Sequence, residues 1–336
     1  EKSDVETWGE FFLEELKNPV TIAGNHFKFE VNIGVFHIEI DKYPDLNPVQ
    51  AYENALLALS KAKDSKKTNL VVYEESFSAA LKKSKTVEID LQEALKNHEL
   101  YLKFQPQVNN LDNKVVGFEA LLRWNNPKYQ FWSPAKFIEI IKENALLLEI
   151  GRFVLEETLR FSQEVAPYGI QVSCNISPFQ LLHRGFVSEL LAAYDKYQLK
   201  PKQICLEVTE NNFIECHQDL FENLLALKNK GYSIRLDNFG TGYSSMLYLD
   251  GFPIDGISIH REYVRTVLTD KYSRKNVLNI IGLAKSLDLE VIGEGVENEE
   301  QNQFLRENGC HIIQGYFYGR ALNREDALAY VKKSRE

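Results

Sequence analysis

Five apolar runs in this sequence end on an acid or an amide. Glu119 follows "VVGF", Asn175 follows "QVSC", Glu207 follows "QICL", Asp237 and Asn238 follow "SIRL", and Glu294 follows "EVIG". Ser258 and His260 lie in "DGISIH", Glu297 comes shortly after Glu294, and Gln314 follows "HII". Burying one unpaired carboxylate is costly, and burying several without cations costs more. Divalent cations resolve that repulsion. An oxygen-only set with no cysteine or histidine cluster points to Mg²⁺, Mn²⁺ or Ca²⁺ rather than zinc. Several acids around one mouth also suit a two-metal centre for phosphodiester chemistry. Each residue taken singly has an ordinary alternative. A glutamate ending a strand is commonly solvated or a cap, Asn175 can cap the helix that "SPFQLL" begins, and Gly240 and Gly242 can serve only a turn. Repetition over five runs favours a shared site.

The elements that must position these residues begin at residue 99. Eight strand-like runs follow: "ELYLKFQPQV", "KVVGFEALLRW", "IQVSCNIS", "QICLEVTE", "YSIRLDN", "DGISIH", "EVIGEG" and "HIIQGYF". The first two are joined by the short polar loop "NNLDN", which allows a hairpin. Helical stretches such as "FENLLALKNKG" and "SRKNVLNIIGLAKSLDL" separate the later ones. Alternation of this kind predicts a mostly parallel sheet. Eight strands fit a closed β/α barrel, whose chemistry belongs at the carboxyl ends of its strands. An open doubly wound sheet is the alternative.

Residues 1–83 read as helix, strand, helix, strand. Trp8, Phe11, Phe12 and Leu16 recur at helical spacing, and "HFKFEVNIGVFHIEI" alternates as one half-buried strand would. Asn47 followed by Pro48 predicts a capped helix start, "TNLVVYEE" a short strand, and Gly24-Asn25 a turn. Residues 84–98 predict a charged connecting helix with apolar Val87, Ile89, Leu91 and Leu95. The 336 residues exceed one ordinary domain. A hydrophobic content of 44% makes the chain globular, and a net charge of −9 argues against non-specific nucleic-acid binding. Cys174, Cys205, Cys216 and Cys310 lack CxxC spacing and read as reduced core thiols of a cytoplasmic protein. No apolar run approaches the ~18 residues that span a membrane, and no signal peptide is visible. The helical character of the opening residues suggests a piece of a longer chain.

Six motifs occur in one order: "EALLRW" at 119–124, "NISPFQL" at 175–181, "LEVTE" at 206–210, "LDNFGTGYSS" at 236–245, "VIGEGVE" at 291–297 and "IIQGYFYGR" at 312–320. Together they resemble the EAL domain of cyclic-di-GMP phosphodiesterases, over roughly residues 86–333. The preceding stretch looks like the C-terminal half of a GGDEF domain without its signature loop. The resemblance therefore implies an α/β fold: an EAL-type β/α (TIM-like) barrel over 99–336 with an antiparallel strand near its start. It also implies a small α+β, partial GGDEF-like region over 1–83. The implied activity is Mg²⁺- or Mn²⁺-dependent hydrolysis of cyclic-di-GMP to the linear dinucleotide, inhibited by Ca²⁺. By position, Glu119, Asn175, Glu207 and Asp237 match ligands of a first metal, with Asp237 bridging to a second. Glu294 matches a second-metal ligand and Glu297 a supporting acid. Gln314 matches an amide that orders the hydrolytic water. Arg123 matches a phosphate contact, and Gln105 and Leu122 match positions beside the ligand.

The departures from the family pattern matter as much. Asn238 stands where active members carry a second aspartate, and Ser258 where they carry a lysine. His260 replaces an aspartate, Asn126 a common histidine, and Ala321 a usual proline. An amide carbonyl can still coordinate but brings no charge, so at most one metal site should be strongly held. Ser258 is too short and neutral to replace the lysine, although His260 leaves some scope for compensation. The expectation is a catalytically impaired domain acting as a cyclic-di-GMP receptor or regulatory module. An active phosphodiesterase is the first alternative, and a ligand-independent scaffold for a protein partner is the second. Homodimerisation through the barrel is a further implication of the resemblance.

Overall fold

The computed structural model describes residues 2–22, 25–29, 31–65, 69–142, 144–209, 218–240 and 251–335. Glu210, Cys216 and Gly242, singled out above, lie outside the described residues, as does Gly24. The chain divides into two units, Glu1–Asp90 and Leu91–Glu336.

In the first unit, helix α1 (Lys2–Leu16) precedes strands β1 (Val20–Ile22), β2 (Asn25–Phe27) and β3 (Ile33–Val35), helix α2 (Pro48–Asp64) and strand β4 (Leu70–Val72). The Asn47 side chain accepts from Gln50 N–H and Pro48 opens α2, as the sequence predicts. The single long strand expected over 26–40 is instead two short ones. β2 pairs antiparallel with β1, whereas β3 pairs parallel with β4. One alternating run thus serves two different partners. Gly34 lies against α2 so closely that an added Cβ would meet Leu59 N at 2.1 Å. Trp8, Phe11 and Phe12 of α1 remain exposed.

Helix α3 (Glu75–Lys96) starts nine residues before the position expected from sequence. Val87, Leu91 and Ala94 are buried at helical spacing, while Ile89 is 58% exposed. Ile89 lies two residues from Val87, which puts it off the buried face.

The second unit is a closed barrel of eight strands, so the open doubly wound alternative is set aside. Its strands are β5 (Leu100–Asn109), β6 (Lys114–Trp124), β7 (Gln171–Asn175), β8 (Ile204–Thr209), β9 (Ser233–Phe239), β10 (Gly256–Ile259), β11 (Glu290–Glu294) and β12 (Ile312–Gln314). β5 runs antiparallel to both β6 and β12, and the other neighbours are parallel. The hairpin read from "NNLDN" is therefore the antiparallel start of the barrel. Among the described residues the helices of this unit are α4 (Pro134–Ile138), α5 (Ala145–Val165), α6 (Pro178–Leu182), α7 (Arg184–Lys196), α8 (Gln218–Lys230), α9 (Arg261–Thr266), α10 (Lys271–Ser286), α11 (Glu299–Glu307) and α12 (Arg324–Lys333). Phe161 of α5 stacks on Phe104 of β5 and meets Phe118 of β6 edge-on, with centroids at 3.8 and 5.5 Å. Those rings tie the hairpin to the outer helical layer. Cys174, Cys205 and Cys310 are free and buried. No helix of the described residues is long and apolar enough to cross a membrane.

Candidate functional site

Strand register assembles the site. β7 and β8 align Asn175 with Glu207, and β11 and β12 align Glu294 with Gln314. Across the antiparallel pairs, Gln105 opposes Glu119 and Gln107 opposes Gln314. Asn175, Glu294 and Gln314 are each the last residue of their strand. Glu119 is the hub: one carboxylate oxygen accepts from Asn175 Nδ2 at 2.8 Å and the other from Gln314 Nε2. Gln314 in turn accepts from buried Gln107 Nε2 at 3.0 Å. Asn175 does not cap the following helix. Ser177 does so in a reciprocal capping box with Gln180, which frees the Asn175 amide for Glu119.

Asp237 and Asn238 sit at a β-bulge. Leu236 pairs with Ile257 and Phe239 with Ile259, so both residues stand opposite Ser258. Asn238 takes a left-handed φ of 56°, a conformation that Asn tolerates better than most residues. Its backbone N–H donates to Asp237 Oδ1 at 2.7 Å, and its Nδ2 donates to Asp237 Oδ2.

Four carboxylates thus share one end of the barrel, and their protons report the crowding. Burial, then the charges of Glu207 and Asp237, push Glu119 from 4.5 up to about 8. Burial, then Glu207, push Asp237 from 3.8 up to about 6. Glu294 is raised well above its ordinary value by burial and by the charges of Asp237, Glu119 and Glu207. The buried Ser258 hydroxyl lies near enough to Glu294 to oppose that shift. It nevertheless makes no hydrogen bond of ordinary geometry among the described residues. Glu297 stands apart on the exposed loop after β11, where its N–H donates to Gln301 Oε1 at 2.8 Å.

An acid whose pKa is higher folded than unfolded contributes stability at low pH and loses it as the pH rises through the folded value. For Glu119 that window runs from 4.5 to about 8. In chelator, Glu119→Gln should melt with the wild type at pH 4.5 and above it at pH 8. Parallel thermal melts across that range check the divergence, and a constant offset would contradict it.

Arg123 follows Glu119 by four residues on the same face of β6 and is half-buried. Burial lowers its pKa, against the favourable pull of Tyr101, Glu119 and Tyr316. Leu122 points to the opposite, buried face and reaches Arg123 through its carbonyl, which accepts from Arg123 Nη1 at 2.7 Å. Gln105 donates to Gly319 O at 3.4 Å. His260 caps α9, its ring accepting from Glu262 N–H, and burial lowers its pKa. Asn126 donates to Glu99 at 3.1 Å, a structural role in the loop after β6.

Gln107, Arg235 and Tyr316 also belong to the site, though none of them carries the strand-end pattern of the acids and amides. Tyr316 is 61% exposed, with the Arg320 guanidinium 4.7 Å over its ring. The aromatic-basic run "GYFYGR" was the available signal. Nothing local marked Arg235, an arginine inside an apolar strand.

Among the described residues, no three of the His, Cys, Asp and Glu side chains form a group that could hold a metal ion. Glu119 is taken up by two amides, Asp237 by Asn238, and Glu207 by Arg235. The donor chemistry suits Mg²⁺ or Mn²⁺, but the residues as arranged do not fit a metal cage.

The EAL domain family model matches residues 88–321. The chain is a member of the EAL domain family. Its EAL barrel and the preceding unit together are 31% identical over 336 residues to the bifunctional diguanylate cyclase/cyclic di-GMP phosphodiesterase MucR of Pseudomonas aeruginosa, covering 98% of this chain and 48% of that protein. The cyclic di-GMP phosphodiesterase NbdA of the same organism is 28% identical over 315 residues, covering 92% of this chain and 40% of its own. The chain therefore spans half or less of these relatives' length. Among solved structures, the PaMucR phosphodiesterase in complex with c-di-GMP matches with a TM-score of 0.68 at 33% identity, over 72% of this chain and 99% of that one. The cGMP-bound EAL enzyme Bd1971 matches with a TM-score of 0.73 at 30% identity, over 87% and 78%.

Proposed function

We propose that this EAL domain is a receptor or regulatory module for cyclic-di-GMP whose hydrolytic chemistry is impaired. EAL phosphodiesterases generally depend on a divalent metal. The observation that carries the reading is the bulge at Asp237–Asn238, where both Asp237 oxygens receive hydrogen bonds from its neighbour's neutral amide groups. A carboxylate at 238 would add charge for a second cation, whereas the amide adds a donor. Ser258 opposite the bulge supplies no cation either. Ligand recognition has separate support in Arg123, Gln105 and exposed Tyr316, which do not depend on those two positions. Residues 1–83 are proposed to be a partial GGDEF-like region, because the similarity to a protein named as a diguanylate cyclase extends through them.

Calorimetric titration with cyclic-di-GMP in EDTA tests the reading, with the linear dinucleotide assayed in parallel under Mn²⁺. Micromolar binding with negligible product supports it. Absence of binding under both conditions overturns the receptor. The second reading, an active phosphodiesterase, draws on the retained Glu119, Glu207, Asp237 and Glu294 and on the relatives' names. Turnover abolished by Glu119→Ala would establish it instead.

A further inference from the structure

Arg235 lies inside the barrel with its side chain 3% exposed, and its partner Glu207 is 2% exposed. Register aligns Glu207, Arg235, Gly256 and Glu290 across four neighbouring strands. The stagger of the closed barrel carries that row from the acid cluster toward the amino ends of the strands, since Gly256 and Glu290 each open their strand. The guanidinium follows the same path. Nη1 donates to Glu207 Oε1 at 2.9 Å, and Nη2 donates to Glu290 Oε2 at 2.9 Å and Gln171 Oε1 at 3.1 Å. Gly256 leaves room for it: an added Cβ there would sit 3.6 Å from Arg235 Nε and 2.9 Å from Glu290 O. Arg235 remains a cation under all ordinary conditions. Asp237 lies two residues further along β9, on the same face as Arg235.

We infer that Arg235 is a built-in counter-cation of the acid cluster, supplying through Glu207 the fixed positive charge that a divalent ion would otherwise bring, so that the pocket works without metal and resists loading with it. The inference rests on reading this cluster as the EAL site. Arg235 acts as a positioning residue: it holds one oxygen of Glu207 and leaves the carboxylates above it less able to attract a second cation. Two cations drawing on one set of acids oppose each other, and the coupling is reciprocal.

The test is Mn²⁺ binding to the full chain, followed by electron paramagnetic resonance titration. Arg235→Met should bind Mn²⁺ at least ~10-fold more tightly than the wild type, within the range usual for coupled sites. Its melting point should fall in EDTA and recover with Mn²⁺ but not with Na⁺ of equal ionic strength. A folded Arg235→Met with unchanged Mn²⁺ affinity overturns the inference. Glu290→Gln keeps the inference testable should the first variant not fold, because Glu290 is 46% exposed and its neutralisation leaves Glu207 as the one carboxylate that pairs with Arg235 among the described residues, beside the neutral Gln171 amide. That variant should bind Mn²⁺ more weakly than the wild type, and unchanged or tighter binding counts against the inference. Cyclic-di-GMP titrations in EDTA on the same samples separate the two claims. Wild-type nucleotide binding with no Mn²⁺ response in Arg235→Met overturns the inference alone. A Mn²⁺ response without nucleotide binding overturns the receptor reading alone.

Discussion

With Mn²⁺ present, Asn238→Asp combined with Ser258→Lys should hydrolyse cyclic-di-GMP ~10²-fold faster than the wild-type chain, the scale of one strong electrostatic contact in a reaction of this kind. The bulge explains why the two changes belong together. Both positions occupy one spot on the barrel, with Asp237 and Asn238 opposite Ser258. Aspartate tolerates the left-handed backbone of residue 238 about as well as asparagine, so that change leaves the strand end intact. Alone, it adds a fifth carboxylate to a group already pushed toward protonation, and little rate should follow. A lysine at 258 faces Glu294 and the new acid, which supply the partners that a buried ammonium requires. Effects within one catalytic unit are not additive, so the double variant should exceed the product of the single effects. Chromatography of the linear dinucleotide measures the gain. A double variant that folds and binds nucleotide but turns over no faster refutes this account of the proposed impairment.

The second large effect concerns recognition. Arg123→Ala should weaken cyclic-di-GMP binding in EDTA by ~10–150-fold, corresponding to the ~1.5–3 kcal/mol of a hydrogen bond to a charged group. Arg123 is held at the barrel mouth by the Leu122 carbonyl and is already partly desolvated, so little of its binding energy goes into ordering it. Arg123→Lys should recover only part of the loss, since an ammonium lacks the planar fork that matches a phosphate. Calorimetry distinguishes the three proteins. Equal affinities would remove Arg123 from the ligand contact.

Much of the barrel was legible in the sequence because its code is local. Strand-like apolar runs, the later ones separated by helical stretches, marked all eight strands, and the short loop at 110–113 marked the hairpin. Alternation misled in the first unit, where "HFKFEVNIGVFHIEI" reads as one strand but divides between two partners. Ile89 misled for a related reason, because an apolar residue in a helical run need not lie on its buried face.

Sequence alone determined which chemical groups could meet: carboxylates and amides at strand ends, with Asn238 and Ser258 where charges would be expected. Tertiary structure decided how those groups compensate one another. Asn175 reaches Glu119 rather than capping a helix, because Ser177 already satisfies the helix start. Asp237 and Asn238 face a single residue, because the ladder slips by one at the bulge. Arg235 lies beneath the acids, because barrel stagger joins the middle of β9 to the first residue of β11. Register across a closed sheet is a property of paired strands, and no single run of residues encodes it.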